Sequence, residues 1–399
     1  MQNLSLPRRA AGAGRRGAAP VVLVMVLVLT LALLAACGGS SEPAPSGSGG
    51  GESPAGGTGG GSDDSRQIGG ELNILVMPGY EEEQIIRPFE EQYGVKVNAR
   101  VYASSDQMFS ILTASQPGEW DVVTPDTPWV AKLVAADLIQ PLNPDDYPVI
   151  EDFYSRWQNF DQVYVDGQMY AIVSRWGYYG IVYNSKYVTA EEARSISVMY
   201  DPKYRGKVVL FDWYLPNMGM LGREIGLEQP YDATPQQLEQ IKERLAALRP
   251  QVGAFAATNS DTIQALANES GWLSFGGEWL QVLLKEEGHP IEITVPEEGG
   301  VSWTESFAIL KDSRNPEAAR AFVQYMLTPE VQAKLAWANA FHAPVPNRKA
   351  VEHLTTEQAQ MLGLHDPDGM ERMLERIATR KVPDDEAAWQ RAWEEFKAR

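Results

Sequence analysis

The chain has 399 residues, with 34 lysines and arginines against 53 aspartates and glutamates, a formal net charge of −19. Phosphate backbones need clustered basic side chains, so this balance excludes nucleic acid as a partner. Cys37 is the only cysteine, which excludes an intramolecular disulfide and leaves core burial to hold the fold.

Arg8, Arg9, Arg15 and Arg16 precede an apolar run from Val21 to Leu34, the arrangement of an export leader. At about fourteen residues the run is shorter than the roughly 20 needed to span a bilayer. It ends Leu34-Ala35-Ala36-Cys37, followed by glycines. This resembles the bacterial lipoprotein lipobox, which implies a leader over 1–36, a lipid on the Cys37 thiol, and a protein tethered to the outer face of a cell membrane. Residues 37–70 are mostly Gly, Ser and Pro and should form a flexible tether with a reach on the order of 30 Å.

From residue 71 onward roughly 330 residues remain, more than one core usually holds, so two lobes are expected. Strand-like and helix-like stretches alternate. Strands are expected at 72–77, 95–102 and 120–124, and helices at 81–93, 105–114 and 128–136. Further strands are expected at 170–173, 180–184, 207–211, 272–275, 291–295 and 301–310. The intervening helices are 235–248, 260–268, 279–287, 316–327 and 329–340, and 355–399 reads as charged and helical with a break at Pro383. The alternation predicts an α/β fold with a largely parallel sheet and ligand contacts at the carboxyl ends of its strands.

The stretch Val295-Pro296-Glu297-Glu298-Gly299-Gly300-Val301-Ser302-Trp303-Thr304-Glu305 resembles the bacterial spermidine/putrescine-binding proteins. So do Phe89-Glu90-Glu91-Gln92-Tyr93-Gly94-Val95, Trp120-Asp121-Val122-Val123, Trp176-Gly177, Asn315-Pro316-Glu317-Ala318-Ala319 and Pro344-Val345-Pro346-Asn347, in the family's order. The resemblance implies a two-lobed type II periplasmic-binding-protein fold with a central cleft and hinge strands near 178–183 and 300–303. Lobe one is then 71–178 plus 304–341, and lobe two 179–303 plus 342–399. It also implies capture of a small cationic, polyamine-like solute by lobe closure, and delivery to the permease subunits of an ABC importer.

A polyamine needs carboxylates for its ammonium groups and aromatic faces for the chain between them. By the resemblance, Trp303 and Glu305 fall on the family's tryptophan and amine-binding aspartate, Tyr80 on a tyrosine after the first strand, and Phe275 on a cleft tryptophan. Trp213 falls on one of two further family carboxylates, with Asp212 adjacent. Asp126 and Glu278 stand where the family has hydroxyls, and Phe341 lies beside a lost cleft tyrosine. Asp126 also precedes Thr127-Pro128, which reads equally as a helix start.

An enzyme is disfavoured: there are four histidines, no H-E-x-x-H, no G-x-S-x-G and no Gly-rich strand-to-helix turn. No cofactor or metal is expected. Within the same fold the alternatives are ferric iron, for which Tyr178-Tyr179 offers a pair, an aminophosphonate, or another organic cation. Arg175 is the one arginine expected near the cleft.

Overall fold

The computed structural model describes residues 67–399; the expected leader, Cys37 and most of the tether lie outside the described residues. The sheet is built from β1 (Glu71–Val76), β2 (Lys96–Val101), β3 (Val122–Val123), β4 (Ile172–Asn184), β5 (Val208–Phe211), β6 (Val252–Ala256), β7 (Leu273–Gly277), β8 (Ile291–Thr294), β9 (Gly300–Ile309) and β10 (Ile377–Ala378). Its path runs β2-β1-β3-β9-β4-β7-β5-β6, with β8 added to β4 and β10 to β9.

Helices cover the strands because their apolar residues recur on one face. Glu83–Tyr93 buries Ile85, Ile86 and Phe89 and stops at Gly94, whose φ of 66° is the left-handed conformation that closes helices without a Cβ penalty. Pro235–Leu248 buries Leu238, Ile241, Leu245 and Leu248, and starts with a capping box in which Thr234 and Gln237 satisfy each other's backbone N–H groups.

Two hydrophobic cores result. The first gathers β1, β3, the start of β4 and the end of β9 beneath the helices Pro316–Met326 and Pro329–Ala336. The second gathers the far end of β4, β5, β7 and the helices after them. β4 and β9 pair antiparallel from Val301 with Tyr179 to Phe307 with Ile172, and so carry the chain between the cores. The sheet is mixed rather than largely parallel: β1 pairs β2 and β3, and β5 pairs β6 and β7, in parallel, whereas β8 lies antiparallel against the far end of β4. The sheet also turns antiparallel at the crossing.

Two further features differ from the sequence reading. Stretches expected as separate strands at 170–173 and 180–184 form one continuous strand of 13 residues. The strand runs through Trp176-Gly177, and the missing Gly177 side chain leaves room there for Glu278 and Trp303 from other elements. The C-terminal segment, expected on lobe two, is divided. Val345, Ala350, Leu362, Leu364, Met370 and Leu374 belong to the first core, whereas Ala378, Trp389, Trp393 and Phe396 belong to the second.

Candidate functional site

The carboxyl ends of β1, β3, β5 and β7 converge on the crossing strands, and side chains from both lobes meet there. Glu305 on β9 is 5% exposed. Its Oε2 accepts from the Tyr80 hydroxyl at 2.8 Å and from Arg175 Nε at 3.0 Å, and Arg175 Nη2 also stands 3.0 Å away. Tyr80, at the turn after β1, is also 2.6 Å from the Ser174 hydroxyl. Arg175 lies on β4 directly opposite Glu305 in the ladder. Its remaining N–H groups donate to the carbonyls of Pro78 and Phe341, and its guanidinium sits 4.9 Å from both the Tyr80 and Phe341 rings. Burial and the Glu305 charge push the Tyr80 hydroxyl far above its ordinary range, so Tyr80 stays a donor.

A second carboxylate stands beside this group. Asp126 pairs with Glu305 through an isolated antiparallel bridge that continues the β3–β9 ladder. It occupies the cap position of the short helical turn Thr127–Trp129 but makes no capping bond. Its carboxylate pairs instead with Arg380, itself 4% exposed. Burial raises the Asp126 carboxyl, with Arg380 opposing that rise and Glu305 adding to it. The Arg380 guanidinium lies 4.7 Å from the Trp213 ring.

The third carboxyl is Glu278, first residue of the helix Glu278–Glu286 and 4% exposed. Oε2 accepts from the Tyr178 backbone N–H at 2.9 Å. Burial pushes its pKa up to about 8, against the lowering effect of that bond, so it is largely protonated at neutral pH. Glu278 Oε1 and the Trp303 indole nitrogen both lean over Gly177: a Cβ there would meet them at 2.0 and 2.4 Å. Trp303, opposite Gly177 on β9, packs edge-on against Phe341 with centroids 5.6 Å apart, and Trp279 completes the aromatic group at 5.3 Å from Phe341.

The structure therefore brings together Tyr80, Asp126, Trp213, Glu278, Trp303, Glu305 and Phe341. Asp212 is turned outward, accepting from the Trp393 indole at 2.8 Å and pairing with Lys397 at 2.8 Å. Phe275 is 1% exposed within the second core, opposite Ile181. Arg380 and Trp279 were not anticipated. Arg380 reads in sequence as one charge among many in a helical tail, and no local signal marks it; only the path of β10 brings it here. Among the described residues no group of three or more histidine, cysteine or acidic side chains is placed to hold a metal ion.

The family model for bacterial extracellular solute-binding proteins matches residues 84–363. The chain belongs to that family. Among curated relatives, this solute-binding protein is similar to the spermidine/putrescine-binding periplasmic protein of Salmonella typhimurium, 27% identical over 287 residues, 71% of this chain and 79% of the relative. The spermidine/putrescine-binding periplasmic protein 1 of Haemophilus influenzae is 28% identical over 281 residues, covering 70% and 76% of the two chains. In structure, it resembles the spermidine/putrescine transporter substrate-binding protein of Streptococcus pneumoniae with a TM-score of 0.71 at 22% identity, over 82% of this chain and 98% of that one. That likeness identifies the two-lobed type II fold.

Proposed function

We propose that this solute-binding protein captures a polyamine-like cation at the crossing between its lobes and hands it to an ABC-type importer. The observation that carries the reading is the convergence of Asp126, Glu278 and Glu305 with the faces of Tyr80, Trp213, Trp303 and Phe341. Carboxyls with aromatic rings between them suit ammonium groups joined by methylenes. The naming of the curated relatives for spermidine and putrescine supports the same solute class. A ligand held from both lobes favours the closed arrangement, because only closure supplies both sets of contacts. The lipobox-like Leu34-Ala35-Ala36-Cys37 supports export and a lipid anchor on the extracytoplasmic face of the membrane. Binding without catalysis accords with the motifs and with the family.

A second reading has a specific observation behind it. Glu305 and Asp126 are each paired with a buried arginine, and paired arginines also suit a solute bearing a carboxylate or phosphonate. Ferric iron fits less well. Tyr178 and Tyr179 are consecutive on β4 and so point to opposite faces of the strand, which prevents both from gripping one ion.

Calorimetry on the full chain with putrescine, spermidine, amino acids, an aminophosphonate and ferric iron separates these readings. A polyamine signal weakened at least about tenfold in Trp303→Ala and Glu305→Gln, roughly 1.4 kcal/mol each, is expected. No polyamine signal beside a clear response to an acidic solute overturns the polyamine assignment.

A further inference from the structure

We propose that Arg380 is a specificity-determining residue: its guanidinium occupies a cation position formed by Asp126 from one lobe and Trp213 from the other, and a polyamine binds by displacing it. The inference rests on the polyamine reading of the site and identifies what limits binding there.

The geometry around Arg380 is that of a captured cation. A carboxylate takes one edge of the guanidinium, and an indole face lies 4.7 Å from its centre. This is the pairing that an ammonium would use. Arg380 Nε is buried without a hydrogen-bond partner; Asp126 and the Tyr179 hydroxyl hold the rest of its guanidinium, which is thus held less completely than that of Arg175, where each of the three nitrogens has an acceptor. The two arginines thus play different parts: Arg175 is locked into the crossing strands by neighbours in the sheet, whereas Arg380 is a guest from another segment.

That segment is carefully placed. β10 pairs parallel with Gly300 and Val301 of β9. Arg156, from the first lobe, donates to the carbonyls of Leu374 and Ile377 at 2.8 Å and to the Thr379 hydroxyl at 2.7 Å. Gln162 donates to the Arg380 carbonyl at 2.8 Å, and the Arg380 N–H reaches the Ser302 hydroxyl. The backbone is pinned from both sides while the side chain projects to Asp126. Arg380 also lies beyond the residues 84–363 that the family model matches.

The charge balance follows. Asp126 and Glu305 are offset by Arg380 and Arg175, so a polycation finds no free carboxylate until Arg380 leaves Asp126. Arg380 thereby weakens polyamine binding, and it penalises solutes that cannot replace both the carboxylate and the indole contact.

The test is isothermal titration of the full chain with putrescine and spermidine for wild type, Arg380→Gln, Arg380→Lys and Arg380→Gln/Asp126→Asn. R380Q should bind spermidine at least about tenfold more tightly, about 1.4 kcal/mol. R380K should return towards the weaker wild-type affinity, and the double variant should lose the gain. Spermidine bound by wild type but no tighter, or weaker, in R380Q overturns the proposal and leaves the function standing. Absence of polyamine binding in wild type and R380Q alike overturns both. Should R380Q not fold, NMR of the Arg380 Nε–H in wild type decides: displacement speeds its exchange with water on adding spermidine, and unchanged or slower exchange refutes it.

Discussion

At the scale of single residues the informative side chain is Glu278. Its carboxyl is raised from an ordinary 4.5 to about 8 by burial, so the folded protein holds a proton there that the unfolded chain releases at a lower pH. The sign follows directly: stability from this group is full below about pH 4.5 and is lost as pH rises towards 8. Between pH 5 and 8 the loss is on the order of 3 kcal/mol, at about 1.4 kcal/mol per pH unit. Urea midpoints of Glu278→Gln should show a flatter pH dependence across that window; an unchanged slope means that Glu278 is ionised in the fold. Residue identity was partly legible beforehand. Trp303 and Glu305 stand out in a continuous motif, and Glu305 proves buried with Tyr80 and Arg175. Which acid is raised was not legible, because it depends on burial and on neighbours a hundred or more residues away, such as the Tyr178 N–H that opposes the rise at Glu278 and the Arg380 that opposes it at Asp126.

At the scale of elements, the crossing strands concentrate the constraints. Gly177 has ordinary backbone, yet a Cβ there would overlap Glu278 Oε1 and the Trp303 indole. Gly177→Ala should therefore cost about 1–3 kcal/mol through overpacking, and should also weaken solute binding by pushing Trp303 off its place against Phe341. Paired denaturation and calorimetry check this, and a variant as stable as wild type with unchanged affinity would mean that the two side chains yield freely. Helices were the easier elements to read. In Pro235–Leu248 the apolar spacing, the Thr234 cap and the leading proline all agree. β4 was harder, since Arg175, Trp176 and Gly177 carry no alternating pattern: both faces of the strand are buried along nearly its whole length, and periodicity vanishes when neither side meets water.

At the scale of the whole molecule, the C-terminal segment ties the lobes together. The helix Glu386–Lys397 buries Trp389, Trp393 and Phe396 against the second core, and its Trp393 and Lys397 partner Asp212. Ending the chain after Pro383 should cost at least about 4 kcal/mol, since each large apolar side chain contributes roughly 1.5–3 kcal/mol on burial. A lowered melting temperature and aggregation at the exposed second core are the expected readouts; melting as in wild type would show the helix to be an independent appendage. By itself the sequence determined the α/β alternation, the need for two lobes, the acidic character and the leader-like start, because these depend on composition and on patterns within a few turns of chain. Only the tertiary structure decided that Arg175 and Arg380 neutralise Glu305 and Asp126, and that the C-terminal segment divides between the cores. The physical reason is range: a charge is balanced by whatever folding places within a few ångströms, and the partners of Glu305 and Asp126 lie 130 and 254 residues away along the chain.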